Sequence, residues 1–257
     1  VELAENLKAA EVFISEASKK KAQLIVLPEY FGIMGDSEAA KLEVVEPHTQ
    51  GKVQTFLSTQ AKLHQVWLVG GSHPIASTKK NKPFGRCYVY SPDGDCVCWY
   101  DKIHLFDVLV EDNTQQYAES SYCTAGNQVV SFNTPWGKCG LAICYDLRFP
   151  ELFRELAKQG VKIIIISAAF TAVTGDAHWD VLLRARAIEN QAFVVAAAQG
   201  GHHQNGRETW GHSCVISPWG DKLSELKSDP GVALAQLDLT NQQKYRNEFP
   251  VLSHTRL

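Results

Sequence analysis

The 257-residue sequence lacks any apolar run of the length, about 20 residues, that a membrane-spanning helix needs. It also lacks a strong excess of charge: the formal net charge is −3, with acidic and basic residues interspersed. No basic stripe or polybasic amphipathic segment is present, so neither nucleic acid nor a membrane surface is an expected partner. No linker rich in proline, glycine or serine divides the chain, so we predict one domain over residues 1–257.

Several catalytic signatures are missing as well. There is no G-x-S-x-G, H-E-x-x-H or G-x-x-x-x-G-K-S/T segment, which argues against serine hydrolases of the α/β type, zinc proteases and P-loop enzymes. Cys96 and Cys98 are followed by no further ligands at metal-binding spacing, so no metal is expected. The seven cysteines, an odd number in a long chain, indicate a reducing compartment and hence the cytoplasm. No signal peptide is recognisable, although the chain begins at Val1.

Hydrophobic periodicity predicts helices that alternate with short buried strands. Helices are predicted over residues 3–20, 52–63, 150–160 and 178–190. Strands are predicted over residues 24–27, 66–69, 87–91, 97–100, 139–144, 163–166, 192–198, 214–216 and 232–237. This alternation, together with a hairpin turning at Pro92-Asp93-Gly94, predicts an α/β fold with a mixed sheet.

Reactive side chains follow three of the predicted strands. Glu29 follows LIVLP, Lys102 follows CVCWYD, and Cys144 ends CGLAIC just before a turn into a helix. Ligands of α/β sheets collect at the carboxyl ends of strands, so we expect these three side chains to lie close together. A nucleophile on a tight strand-to-helix turn is exposed to substrate, and backbone N–H groups beside it can face a developing oxyanion.

These three side chains are chemically sufficient for hydrolysis of an amide. A thiol has an ordinary pKa of about 8.5, so attack by Cys144 needs a base, and Glu29 can serve if burial raises its pKa. Lys102 and the Tyr145 N–H can stabilise the oxyanion, where losing one donor typically costs about 3 kcal/mol. Glu29 can then return the proton to departing ammonia. Spacing alone leaves open a buried structural thiol and a solvated ion pair.

Three blocks of the sequence resemble the signature blocks of the nitrilase superfamily, the carbon–nitrogen hydrolases. These blocks are LPEYF, YDKIHLFDV and GLAICYDLRFPEL, and the resemblance runs from about residue 3 to the C-terminus. It implies that Glu29 is the general base, Lys102 the oxyanion stabiliser and Cys144 a nucleophile that forms a thioester. It also implies that Glu119, in YAES, positions Lys102 and the substrate amide.

Residues 168–201 and 211–220 resemble the deaminated glutathione amidase branch of that superfamily. This implies a small carboxylate-bearing amide as substrate; the alternatives are an ω-amidase acting on α-ketoglutaramate and a non-catalytic binding protein on the same fold. Arg148 is a candidate for bidentate binding of the substrate carboxylate, whereas an ion pair with Asp146 is its structural alternative. Further substrate-binding candidates are Tyr30, Tyr145, Phe170 and Thr171.

The resemblance also implies a four-layer α-β-β-α sandwich, a homodimer or higher homo-oligomer, and no cofactor. Two departures from the family pattern are visible. Members usually begin with a strand before the first helix, whereas this chain starts almost inside that helix, so we expect either an additional N-terminal strand or a sheet that lacks one. In addition, Gly85-Arg86 stands where an asparagine is common before Cys87.

Overall fold

The computed structural model describes residues 3–35, 37–112, 114 and 116–256. The helices are α1 (Leu3–Lys19), α2 (Glu38–Glu43), α3 (Lys52–His64), α4 (Pro150–Lys158), α5 (Ala172–Asn190) and α6 (Leu239–Glu248). Within the described ranges, none of the helices combines the length and the apolar character that crossing a bilayer requires.

The strands fall into two main sheets and two separate hairpins. The first sheet contains β1 (Leu24–Val26), β2 (Trp67–Val69), β3 (His73–Ile75), β4 (Phe84–Tyr90) and β5 (Cys96–Asp101). The second contains β8 (Ser131–Thr134), β9 (Gly137–Ile143), β10 (Ile163–Ala168), β11 (Phe193–Ala198), β14 (Cys214–Ile216) and β15 (Lys222–Glu225). The hairpins are β6 (Asp107–Leu109) with β7 (Gln116–Ala118), and β12 (Gly200–His202) with β13 (Glu208–Trp210).

Both sheets are mixed. In the first sheet β1 pairs with β2 in parallel, and β2 pairs with β4. Strands β2 and β3 lie along one edge of β4 and β5 lies along its other edge, and β4 is antiparallel to all three. In the second sheet the order is β15-β14-β11-β10-β9-β8, with β9, β10 and β11 parallel and the outer pairings antiparallel. The central parallel strand β10 is buried on both faces, which explains its continuous run of isoleucines.

Alternation along the strands shows how the layers stack. In β4, Cys87 and Val89 pack into a cluster with residues of the second sheet, whereas Tyr88 packs into a cluster with α1 and α3. Since successive side chains of a strand point to opposite faces, the first sheet carries helices on one face and the second sheet on the other. Helices α4 and α5 cover the far face of the second sheet, through residues such as Leu156 and Leu183. The expected four-layer α-β-β-α sandwich is confirmed.

Two element predictions differ from the structure. Helix α5 begins at Ala172, six residues before the predicted His178, because the Thr171 side chain accepts a hydrogen bond from Thr174 N at 3.4 Å and caps an earlier start. The predicted strand over Val232–Leu237 does not form. Val232 packs against the cluster of α1 and α3, and Leu237 against the cluster between the sheets, but the segment pairs with no strand in the described part of the chain. The apolar residues of this segment therefore pack against the core without backbone hydrogen bonds to a neighbouring strand.

Candidate active site

The structure brings the four predicted catalytic side chains together. Glu29 lies three residues past Val26, the last residue of β1, whereas Lys102 directly follows β5 and Cys144 directly follows β9. The Lys102 ammonium donates hydrogen bonds to Glu29 Oε1 at 2.9 Å and to Glu119 Oε2 at 2.9 Å. The Cys144 thiol lies beside Glu29 in the same pocket lining, close enough for the Glu29 charge to act on it. All four side chains are buried, so the cluster is held apart from bulk water.

The backbone at the thiol changes direction sharply. Ile143 still has the extended geometry of β9, with φ −127°, whereas Cys144 has φ +49° and opens a 3-10 turn over Cys144–Arg148. A non-glycine residue in this region costs of the order of 1–3 kcal/mol and persists only when its surroundings enforce it. The turn aims the thiol at Glu29 and places the Tyr145 N–H at the start of a helical turn, where donors have no acceptor within the turn itself.

The Asp146 carboxylate stabilises this turn through hydrogen bonds. Its fully buried carboxylate accepts hydrogen bonds from Ile143 N at 2.8 Å and Tyr100 Oη at 2.7 Å through Oδ2. Its Oδ1 accepts from His104 N at 3.0 Å and lies 2.7 Å from His104 Nδ1. His104 is two residues from Lys102, so this one carboxylate connects the thiol's turn to the segment that carries the ammonium. Its contacts are therefore with Tyr100 and His104, and the alternative of an ion pair with Arg148 is not found.

Glu119 is anchored from three directions. It accepts hydrogen bonds from Phe106 N at 2.7 Å and from the Tyr30 hydroxyl at 3.1 Å, in addition to those from Lys102. The Lys41 ammonium lies 4.1 Å from the centroid of the Tyr30 ring and extends the positive charge around this carboxylate. Glu119 is thus a fixed counter-charge that holds Lys102 in one position.

Glu29 and Cys144 both have raised pKa values. Burial raises the pKa of Glu29 above its ordinary value, although the Lys102 charge opposes this. Burial, followed by the negative charge of Glu29, raises the pKa of the Cys144 thiol well above its ordinary value. At neutral pH the Cys144 thiol is therefore protonated, and Glu29 is the carboxyl group placed to take up its proton.

In the pair formed by Lys102 and Glu119, the opposite charges outweigh burial and favour the ionised form of each group. Burial lowers the pKa of Lys102, but the charges of Glu119 and Glu29 outweigh it and hold the pKa well above its ordinary value. Burial raises the pKa of Glu119, yet the charge and hydrogen bonds of Lys102, with the Phe106 N–H, leave it lowered. Lys102 therefore stays an ammonium and Glu119 stays a carboxylate over the neutral range.

Comparison with known proteins places this geometry in a family. The family model described as carbon-nitrogen hydrolase matches residues 1–247. The chain belongs to the carbon–nitrogen hydrolase family. It is 40% identical over 255 residues to a deaminated glutathione amidase of Synechocystis, covering 98% of this chain and 93% of that protein. It is also 40% identical to a deaminated glutathione amidase of Mus musculus, covering 98% of this chain and 79% of that protein.

A solved structure gives the same assignment for the fold. The crystal structure of Saccharomyces cerevisiae Nit3, described as a member of branch 10 of the nitrilase superfamily, superposes with a TM-score of 0.87 at 30% identity. The match covers 97% of this chain and 90% of that one. The predicted superfamily and the predicted class of enzyme, a hydrolase of C–N bonds, are confirmed.

The pocket of this carbon–nitrogen hydrolase surrounds Cys144 and has a volume of about 40 Å³. Four of the predicted substrate-binding residues line it: Tyr30, Tyr145, Phe170 and Thr171. The fifth, Arg148, is not among the lining residues. Its guanidinium lies 5.3 Å from the Phe170 ring centroid, outside the pocket, and Nη1 is 3.2 Å from His178 Nδ1. Trp179 is buried in the core behind Phe170, with ring centroids 4.9 Å apart.

Several pocket residues were not singled out from the sequence. Tyr117 comes from the β6–β7 hairpin, and Arg207 and Thr209 from the β12–β13 hairpin. Both hairpins lie in segments without helical or strong strand periodicity, so no local signal marked them. His202 and His203 belong to the same β12–β13 segment; His203 Nε2 lies 2.7 Å from the Thr209 hydroxyl, and His202 is exposed. Among the described residues no group of His, Cys, Asp and Glu is arranged to hold a metal ion.

Proposed function

We propose that this carbon–nitrogen hydrolase is an amidase that cleaves a small carboxylate-bearing amide, with deaminated glutathione as the best candidate. The observation that carries the proposal is the buried cluster in which Lys102 bridges Glu29 and Glu119 beside the Cys144 thiol. The substrate assignment is supported by relatives about 40% identical that are named deaminated glutathione amidase.

The first half-reaction forms a thioester. The Cys144 sulfur attacks the amide carbonyl while its proton passes to Glu29, which lines the pocket beside it. The carbonyl π electrons move to oxygen, where Lys102 and the Tyr145 N–H stabilise the negative charge. Glu29 then donates the proton to the departing nitrogen, and the C–N bond breaks. The leaving group is ammonia for a primary amide and an amine for the substituted amide of deaminated glutathione. Release of ammonia, which the sequence led us to expect, therefore applies only to primary amides.

The second half-reaction releases the acid. A water molecule enters the position vacated by the leaving group, and Glu29 accepts its proton as the oxygen attacks the thioester carbonyl. The same donors stabilise the second tetrahedral intermediate. Its collapse breaks the C–S bond, and Glu29 returns the proton to the Cys144 sulfur. The carboxylic acid leaves, and both side chains regain their initial protonation states.

Fixed charge provides much of the catalysis in this scheme. Lys102 is held by two carboxylates before substrate arrives, so no reorganisation is needed when the oxyanion forms. Removal of one such donor typically costs about 2.7–4 kcal/mol of transition-state stabilisation, which corresponds to roughly 100- to 1000-fold in kcat. Glu119 contributes indirectly, because it holds the ammonium without contacting the thiol in the described structure.

The testing experiment compares product release by three enzymes. Purified wild type, Cys144→Ala and Cys139→Ala are incubated with deaminated glutathione, α-ketoglutaramate, a carbamoyl amino acid and a simple nitrile. Amine release is measured for deaminated glutathione, and ammonia release for the others. Cys139 is a matched control because it is a buried cysteine of β9, the strand that leads to Cys144.

The expected result is turnover of deaminated glutathione by wild type and Cys139→Ala, and none by Cys144→Ala. Mass spectrometry of quenched wild type should reveal an acyl adduct on Cys144. Faster turnover of another panel member would overturn the substrate assignment but keep the mechanism. No turnover of any member by a folded wild-type protein would favour a non-catalytic binding protein.

We also propose a homodimer that resides in the cytoplasm. The dimer is supported by an exposed apolar area formed by Ile188 of α5, Trp219 before β15 and Phe249 after α6. Tyr245 joins Trp219 and Phe249 through ring contacts at 5.0 and 5.9 Å. Light scattering should give a dimer mass for wild type and for Leu63→Asp on the opposite helical layer, and a monomer mass for Trp219→Asp. The cytoplasm is supported by seven cysteines among which no disulfide forms.

A further inference from the structure

Among the described residues, two cationic side chains line the pocket around Cys144: Lys102 and Arg207. Lys102 is fully buried, and its ammonium donates to both Glu29 and Glu119. Glu208 also lines the pocket, so a carboxylate-bearing substrate that enters it meets this carboxylate as well as those of Glu29 and Glu119. Its own charge therefore needs a cation other than Lys102, and the side of the pocket that carries Arg207 is where the structure places one.

The β12–β13 hairpin holds Arg207 against the pocket. Trp210 N donates a hydrogen bond to Phe170 O at 3.0 Å, and Thr209 forms a bridge with Thr171. Both contacts connect the hairpin to the segment that follows β10. The guanidinium of Arg207 lies 5.0 Å from the centroid of the Tyr117 ring, which belongs to the opposite hairpin, β6–β7. The Arg207 side chain thus extends from the β12–β13 hairpin to the β6–β7 hairpin, and both hairpins line the pocket.

The lining of the pocket separates a place for the reacting amide from a place for the rest of a substrate. Glu29, Lys102 and Cys144 form the part of the lining where the amide reacts. The remainder of an acyl chain extends from there toward the other lining residues. On the β13 side, the lining residues after Thr171 are polar: Thr174, Arg207, Glu208 and Thr209. The Glu208 carboxylate is exposed and lies 3.5 Å from His202 Nε2. Hydroxyl donors beside a guanidinium match the oxygens of a carboxylate.

Two other cations are less well placed for this role. Lys41 is buried behind the Tyr30 and Tyr122 rings, at 4.1 and 5.4 Å from their centroids, and its charge lowers the pKa of Glu119. Arg148 lies outside the pocket lining, against Phe170 and beside His178. Neither side chain belongs to the surface that a substrate touches around Cys144.

We propose that Arg207 is the specificity-determining residue that binds the carboxylate of the substrate, with Thr209 beside it. This inference rests on the proposed function, because it assumes a carboxylate-bearing amide. The planar guanidinium donates two parallel hydrogen bonds to the carboxylate while the scissile amide occupies the space between Cys144 and Lys102. The contact with Tyr117 keeps the guanidinium flat against one wall and limits its orientations.

The experiment uses two five-carbon amides that differ only in the group at the end of the chain remote from the amide. Glutaramate carries a carboxylate at the end of a five-carbon chain, and pentanamide carries a methyl group there. The ratio of kcat/KM for the two substrates is measured for wild type, Arg207→Gln, Arg207→Lys, Arg148→Gln and Arg256→Gln. Arg256→Gln removes one positive charge at an exposed C-terminal position and controls for the overall field of the protein.

The expected result is a fall of about 10- to 100-fold in kcat/KM for glutaramate in Arg207→Gln, mainly through KM, with pentanamide changed less than about threefold. The kcat/KM of Arg207→Lys for glutaramate should lie between those of wild type and Arg207→Gln, because lysine keeps the positive charge but cannot donate two parallel hydrogen bonds. Equal losses for both amides, or a selective loss in Arg148→Gln alone, would overturn the proposal. A wild type that prefers glutaramate while Arg207→Gln retains that preference overturns the role of Arg207 and leaves the proposed function intact. A wild type that does not prefer glutaramate overturns the carboxylate-bearing substrate class itself.

Discussion

Replacement of Asp146 by asparagine tests how the thiol's turn is maintained. Each carboxylate oxygen of Asp146 has two close partners: Tyr100 Oη and Ile143 N on one oxygen, and two nitrogens of His104 on the other. Asparagine presents an NH₂ group in place of one oxygen, so it loses two hydrogen bonds and turns a donor toward buried donors. Hydrogen bonds to a charged group contribute about 1.5–3 kcal/mol each, which predicts a loss of roughly 3–5 kcal/mol in the free energy of unfolding.

The assay is thermal unfolding of Asp146→Asn beside wild type and Asp176→Asn. Asp176 is an exposed residue of α5, so its change makes the same chemical substitution without burial. A domain of this size loses about 2–4 °C in Tm per kcal/mol, so Asp146→Asn should melt about 6–20 °C lower, and Asp176→Asn within about 2 °C. The kcat of the folded variant should also fall, because Cys144 at φ +49° loses its support. A Tm within 2 °C of wild type with unchanged kcat would refute the reasoning.

Three further predictions follow from the same contacts. Because burial raises the pKa of Glu29 above 4.5 and its carboxylate form is the base, kcat/KM should fall as the pH falls through an apparent pKa above 4.5; an acid limb at or below 4.5 would contradict this. Tyr30→Phe removes the 3.1 Å hydrogen bond to Glu119 and should lower kcat about five- to tenfold and Tm by about 3–12 °C, whereas unchanged kcat and Tm would argue against anchoring of Glu119. Gly175→Ala in α5 should destabilise by roughly 1–3 kcal/mol despite the higher helix propensity of alanine, because its Cβ would overlap Trp210; denaturant unfolding that gives a gain would be inconsistent with this packing.

Local patterns predicted much of the fold. The apolar period of α1 over residues 3–20 matches the observed Leu3–Lys19, and Pro150 opens α4 as its fixed φ favours. The strands before Glu29, Lys102 and Cys144 were predicted to within two residues at each end. These features depend on side chains close together along the chain. The strand expected at Val232–Leu237 failed because a strand also needs a partner, which alternation alone does not supply.

The position of reactive groups at strand ends was also visible in the sequence. Glu29, Lys102 and Cys144 each follow an apolar strand, and the carboxyl ends of strands are where α/β folds assemble sites. Glu119 is different, because it follows the short hairpin strand β7 and was identified only by family resemblance. Its contacts with Lys102 and with Tyr30, which is 89 residues away, exist only after the chain folds.

The sequence by itself determined the family, the layered α/β architecture and the chemical types of the four clustered groups, because these follow from local periodicity and short motifs. Tertiary structure decided which groups meet and how they are charged. Asp146 supports the turn of Cys144 through Tyr100 and His104, more than 40 residues away, and Arg207 reaches the pocket only through the docking of its hairpin. The physical reason is that burial and proximity set both the pKa of Glu29 and the charge around the pocket, and neither exists in the unfolded chain.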